Sequence, residues 1–215
     1  MAELIHGLDA ARVRDRLDRV RDEIAAAGRD PGEVELLAAV KYVALEELGV
    51  LDEAGITVVG ENRAQDLEAK AAAHPGLTWD FIGHLQSRKV KQVLPLVRWI
   101  HSVASDSVLR ELGKHGTPDT EVLIEVNVAG DESKSGIAPQ ALDDVIARCP
   151  ARVVGLMTMP PMTQEPEDSR RWFAALAELA ARRGLRRLSM GTSQDYRVAV
   201  EEGATIVRLG TILYR

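Results

Sequence analysis

Leu188-Ser189-Met190-Gly191-Thr192-Ser193, followed by Thr205-Ile206-Val207-Arg208-Leu209-Gly210-Thr211, contains two short apolar strands that each end in glycine and hydroxyl residues. Between them, Ser193 to Glu202 reads as a helix, and two strands joined by a crossover helix run parallel. In a parallel barrel or open sheet, neighbouring strand ends of this kind offer backbone N–H groups, hydroxyls and a helix N-terminus to one phosphate. The stretch therefore predicts a parallel sheet and a phosphorylated ligand at its C-terminal edge.

The same alternation extends through the rest of the chain. Apolar runs predict strands at Val34–Val40, Thr57–Gly60, Trp79–Ile82, Val97–Ile100, Glu121–Val128, Arg152–Leu156, Arg187–Met190 and Thr205–Leu209. Helical patterns fill the gaps at Leu45–Ala54, Ala64–Ala73, Ser87–Leu94, Asp106–His115, Pro139–Ala147, Glu167–Arg183 and Ser193–Glu202. Eight such units in 215 residues predict an α/β fold, a single (β/α)8 TIM barrel rather than an open doubly wound sheet, with residues 1–215 forming one domain. Upstream, Leu8 to Ala27 carries Val13, Leu17, Val20 and Ile24 at helical spacing, and Gly28 closes the pattern. No helix is read after the eighth strand, so this additional N-terminal helix is expected to pack where the last barrel helix would lie. Pro160-Pro161-Met162-Thr163 reads as a loop.

Composition bounds the function. A chain that is 46% hydrophobic over 215 residues can bury a substantial core. With 33 acidic against 27 basic residues, it offers no broad nucleic-acid-binding surface, so any phosphate must be captured locally. Cys149 is the only cysteine, which rules out an intrachain disulfide and a cysteine-rich metal cluster and fits a reducing compartment. No apolar run approaches the roughly 20 residues of a membrane span, and Met1 to His6 lacks a basic segment leading into an apolar one. A soluble cytoplasmic protein without membrane contact is expected.

In a barrel of this type, functional groups collect at strand C-termini. The ends read Lys41; Gly60-Glu61-Asn62; Gly83-His84; His101-Ser102; Asn127; Gly155 with Met157; Gly191-Thr192-Ser193; and Arg208 with Gly210-Thr211. Polar residues also begin loops wherever strands end, so the ring alone does not decide for a site. Lys41 follows Leu36-Leu37-Ala38-Ala39-Val40 directly. Two readings of it are open. It is either a lysine reaching from a strand end to water, or a partly desolvated amine able to form a Schiff base. In a closed barrel the first strand adjoins the eighth, so this amine faces the phosphate cup. Pyridoxal 5'-phosphate (PLP) carries both an aldehyde and a phosphate.

The residues Val40-Lys41, Gly60-Glu61-Asn62, Phe81-Ile82-Gly83-His84-Leu85-Gln86, Ser133-Lys134-Ser135-Gly136, Gly155-Leu156-Met157, Leu188-Ser189-Met190-Gly191 and Val207-Arg208-Leu209-Gly210-Thr211 together resemble the pyridoxal phosphate homeostasis protein family. The match runs in order from about residue 36 to residue 215. The resemblance implies a barrel like the N-terminal domain of alanine racemase, with PLP bound as an internal aldimine on Lys41. It also implies a mostly non-enzymatic part in intracellular PLP homeostasis, as carrier or regulator, with transient contact to PLP-dependent apoenzymes.

Carried over residue by residue, the resemblance places the hydroxyls of Ser193 and Thr211 on the phosphate, with the N–H groups of Thr192, Gly210 and Thr211 completing the cup. Arg208 would point at the pyridine nitrogen; a guanidinium can only donate, so it would hold that nitrogen unprotonated. Pairing of Arg208 with a carboxylate is the alternative. Asn62 would lie beside the ring or its phenolic oxygen, or would cap a helix. His84 either lines the pocket or satisfies local backbone groups. The loop Ala129 to Ala138 is either a movable cover that brings Lys134 in as a second amine or a plain solvated loop. No His or carboxylate grouping makes a metal site.

The chain departs from the family at Val40-Lys41-Tyr42, where Ser-Lys-Thr is frequent, at Thr192-Ser193, and at Tyr214-Arg215. Three functions compete. The carrier predicts binding and exchange without turnover. A racemase-type enzyme would need a second acid/base group, which related two-domain enzymes draw from an additional domain and a partner subunit. A lysine aldolase acting on a sugar phosphate would need acid/base residues beside Lys41. The sequence favours the carrier, as a monomer.

Overall fold

The computed structural model describes residues 3–215. Its elements are α1 (Ala10–Ala26), β1 (Glu35–Ala39), α2 (Leu48–Glu53), β2 (Val58–Glu61), α3 (Ala64–Ala73), β3 (Thr78–Phe81), α4 (Val90–Val93), β4 (Trp99–Val103), α5 (Asp106–His115), β5 (Glu121–Glu125), α6 (Leu142–Arg148), β6 (Arg152–Met157), α7 (Arg170–Ala181), β7 (Arg187–Thr192), α8 (Tyr196–Glu201), β8 (Ile206–Leu209) and α9 (Thr211–Tyr214). Every strand is parallel to its neighbours, and β1 pairs with both β2 and β8, so the sheet closes. Closure is made by Glu35 opposite Ile206, Leu36 opposite Val207, Leu37 opposite Arg208 and Ala38 opposite Leu209.

The core has two parts because the two faces of each strand look in opposite directions. Outward residues such as Val59, Phe81, Val122 and Val207 meet the helices. Inward residues Leu37, Ile82, Trp99, Leu123, Met157 and Ile206 form a second cluster inside the barrel. Helix α1 buries Val13, Leu17, Val20 and Ile24, one apolar side chain per turn. Its N-terminus is capped by Asp9, whose carboxylate accepts the Arg12 N–H at 2.8 Å. It packs against α2, α8 and α9, which is the place of the missing outer helix between β8 and β1.

Three boundaries differ from the sequence reading. A four-residue helix, α9, does follow β8, too short to leave a periodic signature. β5 ends at Glu125, after which Val126 forms a single bridge with Ile137. β4 runs to Val103, so His101 and Ser102 lie within the strand and are buried, not at the mouth. Polar residues ended the predicted strand there, but both are buried and satisfied: Ser102 Oγ donates to the Gly83 carbonyl at 2.5 Å, and His101, inside the barrel, lies within hydrogen-bond distance of Asp80 and Ser189.

One buried ion pair ties the β1 and β2 ends together. Lys70 Nζ donates to Glu61 Oε2 at 2.7 Å and to the Val40 carbonyl at 2.6 Å. The other Glu61 oxygen accepts the N–H groups of Asn62 and Arg63 at 2.6 and 3.0 Å. This fixes the peptide before Lys41 and the start of α3 with the same carboxylate. No helix of the described residues is long and apolar enough to cross a membrane.

Replacing Lys70 by methionine keeps the volume but strands the Glu61 carboxylate, which is 0% exposed. Lys70→Met is expected to destabilise the protein by about 3–5 kcal/mol, read by chemical denaturation. A loss below ~1 kcal/mol would show that the pair does not hold the two strand ends.

Candidate cofactor site

The mouth formed by the ends of β1, β2, β7 and β8 opens into a cavity of about 850 Å3. Lys41, Asn62, Thr192, Ser193, Arg208, Gly210 and Thr211 all line it. Strand alternation accounts for much of this convergence. Leu37 lies in the barrel interior, so Ala39 and Lys41 share its face; on β8, Ile206, Arg208 and Gly210 follow the same rule. Lys41 is half-buried, its Nζ stands 4.9 Å from the centroid of the Tyr42 ring, and it forms no ion pair among the described residues.

At the β7–β8 end, the Ser193 hydroxyl oxygen accepts the N–H of Gly210 at 2.9 Å and that of Ile212 at 3.3 Å. The N–H and hydroxyl of Thr192 both donate to Asp195 Oδ1, at 2.7 and 3.0 Å. Thr211 is exposed, and its N–H and hydroxyl take no protein partner among the described residues. The N–H and hydroxyl of Thr211 are therefore free at this end, while the amides of Thr192 and Gly210 are already engaged by Asp195 and Ser193. Ser193 lies in a turn, since α8 begins at Tyr196 and not at Ser193 as the periodicity predicts. Just before it, Gly191 in β7 has a φ of +88°, and a Cβ there would stand 2.6 Å from the Ala199 side chain.

Asn62 is half-buried and does not cap α3, whose N-cap residue is Arg63 with no side-chain cap; the Glu61 carboxylate takes the amides instead. The segment carrying Asn62 passes directly over Gly83, where a Cβ would fall 2.1 Å from the Asn62 carbonyl oxygen. His84 is exposed and is not among the lining residues. Neither is any residue of the 129–138 loop, Lys134 included. That loop is folded on itself, with Asn127 Nδ2 donating to the Asp131 carbonyl at 2.8 Å and Ser135 Oγ donating to Glu125.

Arg208 is 3% exposed and makes no ion pair among the described residues, so the pairing with a carboxylate does not occur. Nη1 donates to Ser189 Oγ at 2.7 Å and Nη2 to the Thr158 carbonyl at 2.8 Å, with Met159 Sδ at 3.8 Å. Its Nε is buried without a partner. Burial lowers its pKa to about 10 against the favourable charges of Asp195 and Glu125, which leaves it protonated at neutral pH. Glu125, also buried, has one oxygen unpartnered, and burial raises its pKa despite the Ser135 hydrogen bond and the charges of Arg208 and His84.

Sequence reading did not single out Ser189, Asp80, Lys70 or Asp195. For the first two the signal was present: each is a lone polar residue inside an apolar strand, Trp79-Asp80-Phe81 and Leu188-Ser189-Met190, at an inward position. Lys70 and Asp195 gave none, being ordinary polar residues of a helix and a turn. The described residues contain no group of three or more metal-ligating side chains.

With this geometry in place, the chain matches the family of the alanine racemase N-terminal domain over residues 8–215. It is 40% identical over 213 residues to the pyridoxal phosphate homeostasis protein of Aquifex aeolicus, covering 92% of this chain and 93% of that one. The Pseudomonas aeruginosa protein of the same name is 39% identical over 207 residues, covering 91% and 90%. Among solved structures, PipY of Synechococcus elongatus with PLP bound superposes with a TM-score of 0.78 at 30% identity, covering 94% of this chain and 100% of that one.

The raised pKa of Glu125 has a definite sign for stability. The folded state holds the proton more tightly than the unfolded state, so the wild type loses stability as pH rises from the ordinary carboxylate value through the raised one. Glu125→Gln, which keeps an acceptor for Ser135, is expected to be the more stable protein at pH 7, and the wild type should gain on it as pH falls toward about 4. Thermal unfolding of both proteins across this range, with no pH dependence in the difference, would contradict the assignment.

Proposed function

The chain belongs to the pyridoxal phosphate homeostasis proteins of the alanine racemase N-terminal domain family, and on that premise we propose that it holds PLP in the cavity between Lys41 and the β7–β8 ends. Its part is that of a carrier or regulator in intracellular PLP homeostasis. The observation that carries this reading is Arg208 Nε, a buried donor without a partner on the wall of the same cavity that holds the Lys41 amine. Leaving such a donor unpaired costs about 1–3 kcal/mol. A pyridine nitrogen is an acceptor of the right kind to relieve it.

When bound, PLP supplies an aldehyde that condenses with a primary amine as water leaves. Lys41 is the amine, linked to the cofactor as a Schiff base. Thr211 and Ser193 donate hydroxyls to the phosphate, with the N–H groups of Thr192, Gly210 and Thr211 around it. Asn62 stands beside the ring and its phenolic oxygen. Arg208 remains a cation and can only donate, so it keeps the ring nitrogen without a proton and weakens the ring as an electron sink. That electronic setting supports a protein that holds the cofactor over one that turns over amino acids. The same reading makes the chain a single-domain cytoplasmic monomer that passes PLP to PLP-dependent apoenzymes. Tyr42, Met159 and Met162 give the cavity an exposed, largely apolar rim suited to brief protein contact.

Purified protein mixed with PLP is expected to show the visible absorbance of a lysine Schiff base, which Lys41→Ala loses while its far-ultraviolet circular dichroism is retained. Thr211→Val should weaken PLP binding about tenfold, the equivalent of one hydrogen bond to a charged group. Loaded wild type should not racemise alanine. A colourless wild type overturns the cofactor assignment, and sustained racemisation overturns the carrier role.

A further inference from the structure

Arg208 is the end of a chain of buried polar groups that crosses the barrel interior. Its Nη1 donates to Ser189 Oγ at 2.7 Å; Ser189 Oγ lies 2.9 Å from His101 Nδ1; His101 Nε2 lies 3.2 Å from Asp80 Oδ2. Ser189, His101 and Asp80 are each 0% exposed. Asp80 in turn accepts from Arg98 Nε at 3.1 Å and Nη2 at 2.6 Å, and Arg98 makes two further bonds to Glu35 at 2.8 and 2.7 Å, at the opposite end of β1 from Lys41.

Donor and acceptor chemistry gives this chain one direction. A guanidinium only donates, so Ser189 Oγ accepts from Arg208, and its single proton is left for His101 Nδ1. A carboxylate only accepts, so the proton of the imidazole sits on Nε2, facing Asp80. One neutral tautomer of His101 satisfies every link. Burial favours that neutral form, against Asp80, with Arg208 and Arg98 adding to the lowering. Burial opposes the charge on Asp80, but the bonds from His101 and Arg98 outweigh it and hold the carboxylate ionised. The cation bonded to Asp80 is Arg98, which it shares with Glu35, and a neutral imidazole and a hydroxyl separate it from Arg208. What reaches Arg208 is a neutral acceptor rather than a counter-ion.

We propose that Ser189, His101 and Asp80 are positioning residues that hold the Arg208 guanidinium by Nη1, so that its unpartnered Nε is presented to a ring-nitrogen acceptor in the cavity. The relay rests on the assignment of PLP to this site but concerns residues that do not line it. It fixes the arginine from the barrel floor, through Arg98 and Glu35. A carboxylate in the place of Ser189 would pair with the guanidinium and cancel its charge; a hydroxyl orients it and leaves the charge directed at the ligand.

The test compares PLP with its 1-deaza analogue, which keeps the aldehyde, phenol and phosphate and replaces the pyridine nitrogen by C–H. Wild type is expected to bind PLP more tightly, and in Ser189→Ala that preference should fall about tenfold, while affinity for the deaza analogue stays near the wild-type value. A structural defect in the barrel would instead weaken both ligands alike. The wild-type protein gives a second readout that needs no variant: 15N shifts of His101 should show Nδ1 unprotonated and should move on loading with PLP but not with the analogue. A protonated Nδ1, or a preference for PLP that survives in folded Ser189→Ala, overturns the relay alone. Wild type that takes up both ligands equally overturns the contact between Arg208 and the ring nitrogen, and wild type that takes up neither overturns the PLP assignment itself.

Discussion

The pairing of the first strand with the last is the constraint on which the site depends. Four residues of β1 register against four of β8, and this single seam closes the sheet. It sets Lys41, just past the end of β1, beside Gly210 and Thr211, just past the end of β8. An open sheet with the same strands would leave the amine and the hydroxyl cup on opposite edges. Because the inward faces of both strands continue past their ends, Lys41 and Gly210 point into the mouth as Leu37 and Ile206 point into the barrel.

Closure also encloses polar groups that water cannot reach, and each must find a partner in the wall opposite. The interior meets this demand with charges arranged by depth. At the floor Arg98 is shared between the carboxylates of Glu35 and Asp80, with Arg98 stacked 3.8 Å from the Trp99 ring centroid and Trp99 Nε1 donating to Glu121 at 2.6 Å. Above them the chain passes through the neutral His101 and Ser189. Toward the mouth Arg208 is buried without a bonded anion, and the buried side-chain atoms left unpartnered among the described residues are Arg208 Nε, Tyr214 Oη and Glu125 Oε2, the first two on residues that line the cavity. Two of the three unsatisfied atoms of the interior thus belong to the wall of the cavity.

The outer shell uses a related economy at β2. Glu61 points away from the barrel and Lys70 reaches it from α3, so the pair lies beneath the loops that carry Lys41 and Asn62. Desolvating both charges is costly, and the geometry offsets that cost by adding three backbone partners: the Val40 carbonyl and the amides of Asn62 and Arg63. Two loops from different strands are thereby held to one another by the protein itself, which preorganises this side of the cavity.

The sequence by itself determined the alternation of strands and helices, the place of α1 and part of the cavity wall, because these follow from periodicity and from inward and outward parity along each strand. Lys41, Asn62, Ser193 and Arg208 were legible as strand-end residues for that reason. Only the tertiary structure decided that His101 lies inside the barrel, that α9 follows β8, that Glu61 rather than Asn62 serves the start of α3, and that Asp195 and Ser193 already occupy amides at the β7–β8 end. Each of these depends on which polar group happens to face which across the closed barrel or turn, and a hydrogen bond between residues as distant as His101 and Ser189 leaves no local pattern in the chain.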